Sequence, residues 1–230
     1  RPIQHLHEIS WLIAQWVAWK NSVENAYVST DVVHRVAKRF WGSEIASDFS
    51  TYEGKALAAK KIQDRQYVKE CLVLCDYTWP IAHVRSSEDH LGDSAVESKI
   101  FSAIVGKEVD EDGLNRMGER VFNLQRAILV REGHRGKVAD RLPEFNYAIP
   151  LQHTMHNPEC LLPGEGGKMI TRKGAVVDKD KFESMRDEYY GYRGWDVTTG
   201  LQTTSKLKQL NLKDIAEDLA RSGLVVNDKD

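Results

Sequence analysis

Apolar residues recur at helical spacing along most of this chain, and that periodicity constrains its fold more than any other feature. Leu114, Met117, Val121, Leu124 and Ile128 form a 3-4-3-4 series, the most regular in the sequence. It predicts an amphipathic helix whose apolar stripe is core. Arg120, Asn123 and Arg126 then project from the other faces, where charged side chains are usually solvated. Ile9, Leu12, Ile13, Trp16 and Val17 repeat the pattern near the start, with Trp11 and Trp19 widening the apolar surface. Val32, Val33, Val36, Ala37 and Phe40 predict a second helix, capped by Thr30 or Asp31 and ended by Gly42. Alternation at strand period never runs beyond a few residues, so the fold class expected is all-α.

Between Tyr52 and Leu74 there is no proline and only Gly54 interrupts, while Ala56, Ala59, Ile62, Tyr67 and Leu74 supply scattered apolar positions. A long helix over this stretch delivers Cys75 at its C-terminal end, and Pro80 marks the turn that leaves it. After Pro143 the helical period fades, and Pro150, Pro158, Pro163 and the run Gly164 to Lys168 read as a long irregular connection. Order returns with Phe182, Met185 and Tyr189 on one face before Gly194. Thr203 or Thr204 precedes a short helix through Leu207 and Leu210, and Asn211 caps a last one carrying Leu212, Ile215, Ala216 and Leu219 up to Gly223. The expected division is a helical region over 1–143, an irregular connection over 144–180, and a C-terminal helical region over 181–230 packing on the first.

With 230 residues, 41% of them hydrophobic, the chain can bury a core of its own. Lys plus Arg at 32 against Asp plus Glu at 34 leaves a net charge of -2, which argues against nucleic acid or an anionic membrane as partner. No apolar run approaches the ~18 residues of a membrane span, and no signal peptide opens the chain, so a cytoplasmic location is expected. A start at Arg1 suggests a fragment or a processed piece.

Three cysteines, at 71, 75 and 160, do not describe a disulfide framework. Cys71 and Cys75 would share one helical face, without a second pair nearby to complete a metal clip. His153 and His156 with Cys160 suggest zinc but lack a fourth ligand, so surface histidines are the better reading. The run Gly164 to Lys168 fails as a phosphate loop, because Leu162 and Met169 stand where that motif needs Gly and Ser or Thr. No Ser-His-Asp order and no catalytic carboxylate pair stands out, so the catalytic residues are unknown at this level. By spacing alone, Cys75 with Glu70 five residues upstream reads most simply as a buried structural thiol.

Taken in order, four segments change that reading. They are Glu70-Cys71-Leu72-Val73-Leu74-Cys75, then Arg120-Val-Phe-Asn123-Leu124-Gln-Arg126 with Arg131-Glu132-Gly133, then Asp140-Arg-Leu142-Pro143, and finally Tyr189-Tyr190-Gly-Tyr-Arg193-Gly194-Trp195-Asp196. From roughly Thr30 to Leu224 the chain resembles the C-terminal part of the tungsten-containing aldehyde:ferredoxin oxidoreductases, a family that includes the tungsten subunit of class II benzoyl-CoA reductases. The resemblance implies an irregular multi-helix bundle like that family's C-terminal helical domains. It implies Cys75 as the last of four ligands to a 4Fe-4S cluster, with Glu70 against the pterin of a tungsten-bis-pterin cofactor and Leu74, beside Leu72 and Val73, shielding the site. Here Glu70 stands where the family more often has Asp, and Cys71 takes a position usually small and polar. Asn123 and Arg131 are expected to bond backbone at helix ends. The family uses a histidine near the tungsten for proton transfer, but neither His5 nor His7 aligns with it, and surface histidines are the better reading.

The partners implied are an upstream cofactor-binding domain of the same protein and ferredoxin or another electron-transfer subunit. Self-association through apolar surface left by the upstream domain is a further expectation. With one cluster ligand, this chain by itself is expected to be apo and inactive. Oxidation of an aldehyde and reduction of an aromatic acyl-CoA both stay open, as does a cofactor-free helical interaction module.

Overall fold

The computed structural model describes residues 3–74, 79, 81–154 and 157–227, with side chains from Ile9 onward. Helix α1 (Ile3–Lys20) buries Leu12, Ile13 and Trp16 and leaves Trp11 and Trp19 exposed. Helix α2 (Thr30–Phe40) turns all five predicted apolar residues inward, and both helices feed one apolar cluster that also takes Val28, Trp41, Ala58 and Ile62. Its cap is Ser29 rather than Thr30 or Asp31: the Ser29 hydroxyl accepts the Val32 N–H at 3.2 Å. Thr30 is engaged elsewhere, since its Oγ1 accepts the indole N–H of the buried Trp16 at 3.1 Å.

Helix α3 (Lys55–Cys71) is shorter than the predicted 52–74 stretch at both ends, starting after a left-handed Gly54 and stopping four residues before Cys75. Its apolar pattern is weak because it is surrounded: α1, α2, α5 and α7 all pack on it. It therefore buries Asp64, Arg65, Gln66 and Lys69 alongside Ala56, Ala58, Ile62 and Val68. Helix α4 (Val96–Val105), which the apolar pattern did not reveal, joins α3 through Arg65 and Glu97, both buried and 3.4 Å apart.

Helix α5 (Glu111–Arg131) starts at Asp110, whose carboxylate accepts the Gly113 N–H at 2.8 Å, and it reverses the expected orientation. Leu114 is buried, but Met117, Val121 and Ile128 face outward, while Gly118, Glu119, Asn123, Arg126, Ala127 and Val130 face in. The reason is close packing on α3. A Cβ on Gly118 would lie 2.1 Å from the Asp64 carbonyl oxygen, so the helices meet backbone to backbone there and polar side chains line the seam.

The connection over 144–180 holds more order than expected: a one-turn α6 (Phe145–Ala148) and an antiparallel pair, β1 (Leu161–Pro163) and β2 (Met169–Thr171), in register Leu161 to Thr171. The fold is mostly helical and not purely all-α. The Gly164 to Lys168 run is the turn of this hairpin, closed by Gly164 N–H to Lys168 O at 2.7 Å. Helix α7 (Lys179–Arg193) ends at the left-handed Gly194 and packs on α3. Helix α8 (Thr204–Gln209) is capped by Thr203, and α9 (Lys213–Arg221) follows. Asn211 does not cap α9: it sits in the left-handed region at φ 57, and the buried Leu212 occupies the N-cap position. These last helices join α5 in a second apolar cluster of Ala127, Leu207, Leu210, Leu212, Ala216 and Leu219. Among the described residues no helix is long and apolar enough to cross a membrane.

Candidate functional site

The C-terminal end of α3 carries the residues to which the sequence pointed. Leu74 N–H donates to Lys69 O at 2.8 Å and Val73 N–H to Glu70 O at 3.2 Å, the paired bonds of a Schellman motif. The residue between them must be left-handed, a conformation glycine adopts freely; here it is Val73, at φ 59. A β-branched residue at positive φ is strained. Val73 is also 91% exposed, so its side chain gains no burial in return.

Around that turn Glu70, Leu72 and Leu74 are half-buried, Cys71 is a free, exposed thiol, and Lys69 is buried. Cys75 lies outside the described residues. Helix α3 ends at Cys71, and the expectation that Cys71 and Cys75 share a helical face falls on a residue outside the described set. Of the alternative zinc ligands, His153 is exposed, His156 lies outside the described residues, and Cys160 is buried in a left-handed turn at φ 51. Side chains of His5 and His7 likewise fall outside the described set. Among the described residues no group of three or more His, Cys, Asp or Glu is placed to hold a metal ion.

Behind this helix end lies a buried polar network that sequence spacing did not reveal. Arg193 is fully buried. Its guanidinium donates to Asp64 and, at 2.7 Å, to Gln63 Oε1, its Nε donates to Tyr189 Oη at 2.9 Å, and its plane lies 4.2 Å from the Phe122 ring centroid. Asp64 also takes Lys60 Nζ at 2.8 Å, and Lys60 and Lys206 reach Glu119 at 3.4 and 2.8 Å. Charges thus alternate from α7 through α3 to α5 and α8. Burial alone raises the Glu119 carboxyl, but Lys206, Lys60 and Arg193 outweigh it and hold the group below its ordinary 4.5.

A second set joins the remaining motif residues. Arg126 is buried, not solvated: it grips Asp140, with Nη1 to Oδ1 at 2.9 Å, donates to Gly200 O at 3.0 Å, and stacks 4.7 Å from the Trp195 ring centroid. Asp140 also accepts the Tyr190 hydroxyl at 2.7 Å, and burial with this carboxylate pushes the phenol strongly upward. Asn123 does not bond backbone at a helix end. It sits in mid-helix, donates to Glu119 O at 2.9 Å, and its Oδ1 accepts Trp195 Nε1 at 2.9 Å and Gln202 Nε2 at 2.8 Å. Arg131 forms an exposed 3.5 Å pair with Asp218.

These contacts explain why motifs far apart in sequence occur together: Asn123, Arg126, Asp140, Tyr190, Arg193 and Trp195 meet in one network that braces α3 from behind. Asp64, Gln63, Lys60 and Glu119 belong to it too. The only sequence signal for them, Lys60 four residues before Asp64, reads as an ordinary solvated helix pair. Also unanticipated is Tyr27, whose hydroxyl lies 2.9 Å from Nδ1 of the buried His83 in the segment that follows Trp79.

The family model for aldehyde ferredoxin oxidoreductase, domains 2 & 3, matches residues 5–212 of this chain. That span takes in α3, α5 and α7 and every motif residue of the network.

Proposed function

Since the chain belongs to the aldehyde ferredoxin oxidoreductase family, we propose that it forms the helical part of an enzyme that oxidises aldehydes to carboxylic acids, with ferredoxin as electron acceptor. The observation that carries this reading is the end of α3. A helix held on several sides by buried charges stops at a strained, exposed left-handed Val73, and so presents Glu70 and the chain leading to Cys75 at the surface.

In this reading Cys75 supplies one thiolate to a 4Fe-4S cluster, Glu70 accepts hydrogen bonds from a pterin, and Leu74 and Leu72 keep water from both. A tungsten-bis-pterin centre supplies two-electron chemistry when bound, and the cluster supplies single-electron transfer. The other cluster ligands come from a cofactor-binding domain upstream. The whole protein acts in the cytoplasm.

The test is metal analysis of the full-length protein beside its Cys75→Ser variant. Roughly four irons with tungsten in the parent, and iron lost in the variant, is the expected result. A variant that retains all its iron removes Cys75 from the ligand set, and a parent without metal removes the oxidoreductase reading. Aldehyde-dependent reduction of ferredoxin checks the substrate class; an aromatic acyl-CoA as the active partner instead would overturn the aldehyde assignment.

A further inference from the structure

Lys55 stands where a cation is least expected. It is the first residue of α3, and the amino end of a helix carries partial positive charge that favours acids there. Its side chain turns back onto the 3-10 turn Glu44–Ser47 and the residue after it, and the amine donates to three backbone carbonyls: Asp48 O at 2.6 Å, Ala46 O at 2.9 Å and Ile45 O at 3.4 Å. That engages all three ammonium donors. The Phe49 ring lies alongside, its centroid 5.1 Å from Nζ. Burial lowers the amine to about 8 while Asp48 and Glu53 act to raise it, so Lys55 is charged at neutral pH. A Cβ on Gly54 would lie 2.8 Å from Ile45 Cγ2, so the turn is pressed against the start of the helix.

We propose that Lys55 is a tethered cation lock: its ammonium fills a carbonyl cage in the 45–49 turn and holds that turn closed on α3. Carbonyl oxygens that replace a hydration shell suit a monovalent cation such as potassium or an alkylammonium, and here the chain supplies its own. Two other parts of the fold hang on this turn. Ala46 belongs to the first apolar cluster with Val33, Val36 and Ile62, and the Phe49 N–H donates to Pro163 O of β1 at 2.9 Å. The lock therefore fixes the hairpin and the first cluster to the amino end of α3, the end away from Glu70. It stands apart from the cofactor reading, because none of its contacts involves the carboxyl end of that helix.

Hydrogen exchange of the full-length protein at neutral pH, read by mass spectrometry on a peptide spanning residues 44–51, tests the lock. Lys55→Met keeps an apolar stem and removes the charge, and exchange in this peptide is expected to speed up by more than about tenfold. A peptide that stays protected in this variant overturns the lock, because the charge then holds nothing. Lys55→Ala tests the cage itself. Potassium chloride or n-propylammonium chloride is expected to restore most of the lost protection, whereas lithium chloride at the same ionic strength is not. Protection restored by neither of the first two salts, or by all three alike, overturns the cage. Where the alanine variant does not fold, the parent protein decides. Its Lys55 Nζ is expected to give a slowly exchanging ammonium signal by nitrogen-15 NMR at neutral pH, and an Nζ that exchanges with water as fast as an exposed lysine overturns the proposal.

Discussion

Val73 shows how a single residue can oppose the local rule. The Schellman geometry at the end of α3 calls for glycine, and valine occupies the position with its side chain in solvent. Strain of this kind persists only where the surroundings over-determine it, and here the surroundings are the braced helix before it. We expect Val73→Gly to raise stability by about 1 kcal/mol, read from denaturant midpoints, with Val73→Ala giving a smaller gain. A neutral or destabilising glycine variant would show that the left-handed turn is not strained in solution. The sequence predicted a longer helix through this point because no proline interrupts it and Leu74 extends the scattered apolar positions. Periodicity does not report the backbone sign change that ends α3.

At the scale of elements, the contact between α3 and α5 organises the rest. Gly118 lets the two backbones approach, and the approach leaves room for Lys60, Asp64, Glu119, Asn123 and Arg193 to meet in the seam beside it. A methyl group at 118 would press on the Asp64 carbonyl, and the helices would have to part. Gly118→Ala is therefore expected to lower stability by about 1–3 kcal/mol, measured by thermal or chemical unfolding. The alanine gain in helix propensity, about 1 kcal/mol, works against this loss. A net increase in stability would mean that the close approach is absent. The same contact explains the misread face of α5: Gly118 and the polar Glu119, Asn123 and Arg126 looked like the solvent side, whereas they are the side that packs inward.

For the whole molecule, the alternating chain of Arg193, Asp64, Lys60, Glu119 and Lys206 ties both apolar clusters together and gives stability an acid limit. Because Glu119 titrates below 4.5 in the folded state, the unfolded chain binds its proton first as pH falls. Its contribution is complete above about pH 4.5 and is lost as pH drops through the folded value. Glu119→Gln is expected to weaken the pH dependence of the unfolding midpoint below 4.5 more than it changes dependence above it. Equal slopes in parent and variant would show that Glu119 is not the group responsible. What the sequence by itself determined is the helical character of the chain, the apolar faces of α1, α2, α8 and α9, and the motif order that marks the family. These are local or composition-borne properties, carried by spacing and by residue type at helix ends. Tertiary structure alone decided that α5 faces the other way, that a short hairpin interrupts the helices, and that Asn123, Arg126, Asp140, Tyr190, Arg193 and Trp195 share one buried network. Burial of a charge depends on a partner dozens of residues away, and no periodicity along the chain records that partner.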